Sequence, residues 1–319
     1  MKFSKRCRLL VKLVVLAVTV MQLKVCLAAV PSLQVRGVDL VDDHGNTVIL
    51  HGMSTHGMQW FGNFATPGVF QYLRGRGANL IRLAMYTGEG GYIANPALKN
   101  TVFAAADAAL QQNLYVIIDW HILQDGNPQL YKQQAKHFFA EAAGRYGNNP
   151  GVIYEICNEP NGNVSWQRDI KPYAEEVIPV IRTAAPHSVV LVGTPTWSQD
   201  VDVAAADPLS FANVMYVCHF YAGTHGQDLR NKIDAARSKG VGVFISEWGT
   251  SRADGSNGVF LDNAAQWLDF LAQRQMSWAN WSLCDKNESS AALLPSTGTN
   301  GNWTDESLSP SGRFVFSKF

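Results

Sequence analysis

Eight short apolar runs rich in β-branched residues alternate with amphipathic stretches of helical spacing, and that alternation predicts a (β/α)8 TIM barrel. Two further observations agree. Polar and aromatic residues gather where each apolar run gives way to loop, which is where such barrels carry their chemistry. No Gly-rich dinucleotide fingerprint follows the first run, as a doubly wound open sheet would favour. The candidate strands are Thr47–His51, Leu80–Tyr86, Leu114–Trp120, Val152–Cys157, Ser188–Val192, Val214–Tyr221, Gly242–Glu247 and Ser277–Ser282. Between them, Thr101–Gln112, Gln129–Tyr146, Asp169–Ala184, Gly226–Lys239 and Phe260–Gln275 carry the apolar spacing of helices packed on one face. Ahead of the first strand, Leu33–Asp43 reads as a small hairpin that would cap the barrel bottom.

The 319 residues are 47% hydrophobic and 16% charged, which suits a buried core and excludes disordered, collagenous and coiled-coil chains. The first 28 residues stand apart. Lys2, Lys5, Arg6, Arg8 and Lys12 precede an apolar run from Leu13 to Leu23, and Cys26-Leu27-Ala28 supplies small residues for cleavage. Residues 1–28 therefore read as a signal peptide and 29–319 as one secreted, extracellular barrel domain. The apolar run is too short for a membrane span, so no membrane association is expected after cleavage. Without that segment the chain keeps 20 Lys and Arg against 26 Asp and Glu, a net charge of about −6 that argues against nucleic acid and leaves a neutral polymer as the natural partner. No Pro/Ser/Thr-rich linker or assembly motif is evident, and a monomer is the default. Cys157, Cys218 and Cys284 lack metal-type spacing, and three thiols allow at most one internal disulfide. Of four sequons, at Asn163, Asn280, Asn287 and Asn302, the one at Asn280 falls inside a strand, where a glycan is not expected.

The strand ends define a candidate site. Arg82 and Tyr86 share parity on the second strand, Trp120 and His121 close the third, and the fourth ends Asn158-Glu159-Pro160. His219 and Tyr221 share parity on the sixth, the seventh finishes Glu247-Trp248-Gly249, and the eighth carries Trp281. Two carboxylates from strands four and seven, aimed into one mouth, are what glycoside hydrolysis requires; a short separation gives retention of configuration and a wide one inversion. Arg82 would hold Glu247 ionised as nucleophile, while Glu159 needs a raised pKa to serve as general acid/base. Asn158 has an amide suited to a sugar 2-hydroxyl, and His219 and Tyr221 are placed to orient carboxylates. No cofactor is expected and no metal site is assigned, because no clustered His-x-His appears. Trp248, Trp278 and His51 are assigned to packing.

These motifs, with Asp119-Trp120-His121, His219-Phe220-Tyr221 and Ser246-Glu247-Trp248-Gly249, resemble glycoside hydrolase family 5. The stretch from Gly52 to Trp60 (Gly-Met-Ser-Thr-His-Gly-Met-Gln-Trp) is similar to its secreted endo-β-1,4-glucanase branch, and the resemblance runs from about Gly37 to the C-terminus. It implies Glu159 as acid/base, Glu247 as nucleophile, and Arg82, His121, Asn158, His219 and Tyr221 as supporting residues. Trp281 would form the platform under the sugar at the cleavage point, and His56, Trp60, Tyr86, Lys286 and Glu288 would contact sugars along the cleft. The expected partner is a β-1,4-glucan. Other β-1,4 polymers such as mannan, xyloglucan or xylan fit the same mechanism, and a non-catalytic carbohydrate-binding barrel is the alternative of another class. No cellulose-binding module is evident beside the barrel, which argues against tight binding to crystalline cellulose.

Overall fold

A computed structural model describes residues 30–147 and 149–319; the expected signal peptide lies outside the described residues. An antiparallel ribbon of β1 (Gln34–Arg36) and β2 (Asp39–Val41) comes first. Eight parallel strands follow: β3 (His51–Thr55), β4 (Leu80–Tyr86), β5 (Tyr115–His121), β6 (Val152–Glu155), β7 (Val190–Val192), β8 (Val214–Tyr221), β9 (Val243–Gly249) and β10 (Trp278–Leu283). They close in the order β10-β3-β4-β5-β6-β7-β8-β9, the expected (β/α)8 barrel.

Period-2 alternation sorts the side chains into two cores. On β4, Ile81, Leu83 and Met85 pack outward against helices, while Leu80 points into the barrel. The interior floor is apolar, built from Leu80, Tyr115, Ile117, Ile153, Leu191, Met215, Val217 and Phe244. Leu33 and Leu40 of the ribbon join that floor, and Val35 N–H donates to Asn213 Oδ1 at 3.0 Å just before β8. The hairpin therefore plugs the N-terminal end of the barrel, as expected.

The five expected helices are present at Leu98–Gln111, Lys132–Tyr146, Lys171–Ala184, Gln227–Ser238 and Leu261–Gln273. One strand moves. The expected Thr47–His51 run is not the first barrel strand, because Thr47 bridges back to Val41 and extends the ribbon. The barrel strand starts where that run ends, at His51. Gly52 sits so close to β4 that a Cβ there would meet Leu80 O at 1.8 Å, so glycine is required at this crossing. His51, tilted against Trp278 at a ring distance of 5.8 Å and stacked on Phe319 at 6.0 Å, serves packing.

A second departure from regularity shapes the mouth. Between Phe244 and Glu247, β9 spends three residues against the two from Val217 to His219 on β8, and it does the same against β10. This bulge lets Ser246 and Glu247, consecutive in sequence, both point inward, while Trp248 returns to the outer core.

Candidate active site

Above the apolar floor, the inward positions turn ionisable. Arg82 on β4 is wholly buried, and its guanidinium is surrounded by acceptors. Nε and Nη2 donate to Glu155 Oε2 and Oε1 at 2.8 and 3.0 Å, and Nη1 donates to Glu247 Oε2 at 3.0 Å. Nη2 also donates to Asn158 Oδ1 at 2.5 Å and lies 3.0 Å from Asp119 Oδ2. Burial opposes the cation, but the charges of Asp119, Glu155 and Glu247 outweigh it and hold Arg82 well above its ordinary value. The expected Arg82–Glu247 pair exists. Yet Glu155 takes the bidentate edge of the guanidinium, and the strand-end reading missed it. Its only sequence signal was a carboxylate inside an apolar run, Val-Ile-Tyr-Glu-Ile-Cys.

Glu155 begins a hydrogen-bonded relay. Ser246 Oγ–H donates to Glu155 Oε1 at 2.8 Å, which leaves the Ser246 lone pair to accept His219 Nε2–H at 3.0 Å. Burial lowers His219 to about 4, so the ring is neutral at pH 7, and with its proton on Nε2 its Nδ1 can only accept. Glu159 Oε1 lies 2.9 Å from that Nδ1. Donor counting therefore makes Glu159 the donor, a carboxylic acid. The electrostatics agree: burial, helped by the charges of Asp119 and Glu155 and opposed by Arg82, pushes Glu159 up to about 8.

Glu247 has the opposite surroundings. Tyr221 Oη–H donates to its Oε1 at 2.7 Å and Arg82 to its Oε2, so both oxygens are acceptors. Oxygens of Glu159 and Glu247 lie within 4.8 Å of each other. His219 is inside the same radius, making this trio the one metal-sized His/carboxylate group among the described residues. Both its ring nitrogens are already hydrogen-bonded within the relay.

On the opposite wall, His121 Nδ1 lies 2.6 Å from Asp119 Oδ2, and its ring stacks on Tyr86 at 4.1 Å and Trp281 at 5.4 Å. Burial, opposed by Arg82, raises Asp119 to about 7. Asn158 is wholly buried, its amide shared between Ile122 O at 3.0 Å and His121 Nε2 at 3.3 Å. A sugar hydroxyl would have to take the weaker of these bonds.

A cleft of about 430 Å³ opens over the two carboxylates. His56, Trp60, Tyr86, His121, Tyr221, Trp281, Lys286 and Glu288 all line it, so the structure gathers the sequence-selected contact residues at one place. Arg82 and Asn158 lie beneath the cleft rather than on it. Trp281 shows 6% of its surface and Trp60 47%, giving one aromatic face deep in the cleft and another at its rim. Lys286 and Glu288, 2.6 Å apart, are no ordinary solvated pair: the Glu288 side chain is 6% exposed and Lys286 Nζ lies 3.3 Å from His56 Nε2. Burial, reinforced by Lys286, lowers His56 to about 3.

Trp197 was missed entirely. It is 45% exposed and lines the cleft beside Glu159. Thr196, Trp197 and Ser198 all have positive φ, at 59°, 54° and 56°. A left-handed conformation costs each L-residue roughly 1–2 kcal/mol, and none of the three types announces it in sequence.

A protein-family model described as Cellulase (glycosyl hydrolase family 5) matches residues 41–287. The chain belongs to glycosyl hydrolase family 5. This family 5 chain is 54% identical over 285 residues to an endoglucanase of Clostridium saccharobutylicum, covering 89% of the chain and 64% of that relative. It is 56% identical over 276 residues to Endoglucanase A of Evansella cellulosilytica, covering 86% and 57%. It thus spans less than two thirds of the length of these relatives. Among solved structures, the catalytic domain of a Thermobifida fusca endoglucanase in complex with cellotetraose superposes with a TM-score of 0.86 at 41% identity, covering 90% of this chain and 96% of that one.

Proposed function

We propose that residues 29–319 form the catalytic unit of a retaining endo-β-1,4-glucanase. The observation that carries this reading is the separation of Glu159 and Glu247, whose oxygens approach within 4.8 Å. Carboxyl groups about 5–5.5 Å apart suit direct attack, whereas inverting enzymes need about 6.5–9.5 Å to admit a water. Glu247, an acceptor at both oxygens, attacks the anomeric carbon and forms a glycosyl ester. Glu159 gives its proton to the departing glycosidic oxygen, so the bond breaks as a neutral alcohol leaves. The Glu159 carboxylate then takes a proton from water as that water attacks the ester. This frees the sugar with its original configuration and returns Glu159 to its acid form. Arg82 and Tyr221 fix the Glu247 carboxylate, and His219 fixes the proton on Glu159. Trp281 offers an apolar face to the pyranose, with His56, Trp60, Tyr86, Lys286 and Glu288 further along.

The endoglucanase names of the relatives and the cellotetraose held by the Thermobifida fusca domain support a β-1,4-glucan in this cleft. The basic, apolar, small-residue order of residues 1–28 supports export, and the chain is read as a monomer. No helix among the described residues is long and apolar enough to cross a membrane.

The test is viscosity loss and reducing-sugar release on carboxymethylcellulose, beside mannan and xylan, for wild type and Glu159→Gln. A steep viscosity fall that the variant lacks is the expected result. Turnover of mannan or xylan alone would replace the substrate, and binding without turnover of any polymer would favour a non-catalytic carbohydrate-binding barrel.

A further inference from the structure

The cleft has two compartments that share Glu159, Trp197, Tyr221, Ala253 and Asp254. The compartment containing Glu247, His121 and Trp281 receives the sugar under attack on the reading above. The other, about 450 Å³, holds Glu159 and His219 but lacks Glu247, so it lies on the side from which the leaving oxygen departs. Trp197 borders both.

A run of three left-handed residues does not hold itself, and the structure shows what holds it. At its inner end Trp197 N–H donates to Pro160 O at 3.0 Å, and Ser198 Oγ donates to Asn158 O at 2.6 Å. These bonds tie the turn to the residues on either side of Glu159. The outer end is closed by backbone N–H donors of Gln199 and Asp200 to Pro195 O at 3.1 and 3.2 Å, and among the described residues its only side-chain tie is to one carboxylate. Thr196 Oγ1 donates to Asp200 Oδ2 at 2.6 Å, and Lys232 Nζ, from the helix Gln227–Ser238, donates to Asp200 Oδ1 at 2.6 Å. Asp200 lines neither compartment. Its carboxylate meets the cleft through the turn, by way of Thr196.

We propose that Asp200 is a positioning residue that holds Trp197 as an aromatic platform on the leaving-group side, and so sets how firmly a sugar is gripped there. The proposal rests on the glycosidase reading, and the test separates the two. Steady-state kinetics are compared on cellopentaose, which carries sugars on both sides of the cleaved bond, and on 2,4-dinitrophenyl β-cellobioside, whose activated leaving group is not a sugar. Asp200→Ala should raise KM for cellopentaose about fivefold with kcat within about twofold, the scale of one misplaced aromatic contact. The activated substrate should change less than about twofold. Adding Asp200→Ala to Trp197→Ala should cost nothing further, since the carboxylate acts only through the ring. Equal losses on both substrates, additive losses in the double variant, or no loss on cellopentaose would overturn the proposal. If Asp200→Ala does not fold, Thr196→Ala removes the same hydrogen bond and should show the same selectivity for cellopentaose. A wild-type protein inactive on both substrates would overturn the glycosidase reading and take the proposal with it.

Discussion

Ser246→Ala tests the proton placement on which the proposed mechanism depends. In the wild type, Ser246 accepts His219 Nε2–H, which leaves Nδ1 bare toward Glu159. Without that hydroxyl Nε2–H loses its hydrogen-bond partner, since the Glu155 Oε1 behind it lies at 3.9 Å, too far for a hydrogen bond. An unpaired buried N–H costs about 1–3 kcal/mol, so the ring should move its proton to Nδ1 and donate to Glu159 instead. That bond favours the ionised carboxylate. At about 1.4 kcal/mol per pKa unit, Glu159 should titrate about one to two units lower. The wild-type value is about 8. The sign follows from the role: catalysis needs the protonated acid, so kcat/KM falls as pH rises through this pKa, and the alkaline limb of the variant should shift toward acid. The assay is kcat/KM against pH on cellopentaose, for proteins shown by melting to be folded. An alkaline limb that stays in place in a folded Ser246→Ala protein would refute the tautomer argument.

Other consequences can be checked directly. Glu247→Gln and Glu159→Gln should each lose about 10³-fold or more in turnover of cellopentaose while remaining folded, and a variant keeping near-wild-type rates would lose its assigned role. Proton NMR at early times should show the β-anomer as the first product; an initial α-anomer would mean inversion despite the short carboxylate separation. Because the folded state holds Glu159 above its ordinary value of 4.5, at about 8, wild-type stability should fall as pH rises across that window. Glu159→Gln cannot titrate, so its Tm should gain on wild type between those limits, and parallel Tm curves would contradict the burial argument. Arg82→Met strands Glu155 and Asp119 without their cation, which should cost about 3–5 kcal/mol and lower Tm by on the order of 10 °C.

Much of this molecule was legible in the chain itself. The barrel could be read because strand and helix periods are local properties: β4 and β8 fell at the residues expected, and the strand-end motifs, with the family 5 resemblance that supplied His56 and Trp60, named both proposed carboxylates and every aromatic lining the Glu247 compartment except Trp197. The first barrel strand was misplaced because its apolar run serves the preceding ribbon, and a β-branched run does not state which partner it pairs with. Tertiary structure alone decided the rest. Simple alternation from Phe244 would turn Glu247 outward, and only pairing with β8 and β10 puts the bulge where it points inward beside Ser246. Thr196-Trp197-Ser198 carries no glycine or asparagine to mark a left-handed turn; contacts to Asn158, Pro160 and Asp200 impose it. Glu155 became central because Arg82, 73 residues away in sequence, meets it across the barrel. Propensity acts among near neighbours, whereas the protonation state of a buried carboxyl depends on every charge the fold brings within a few ångströms.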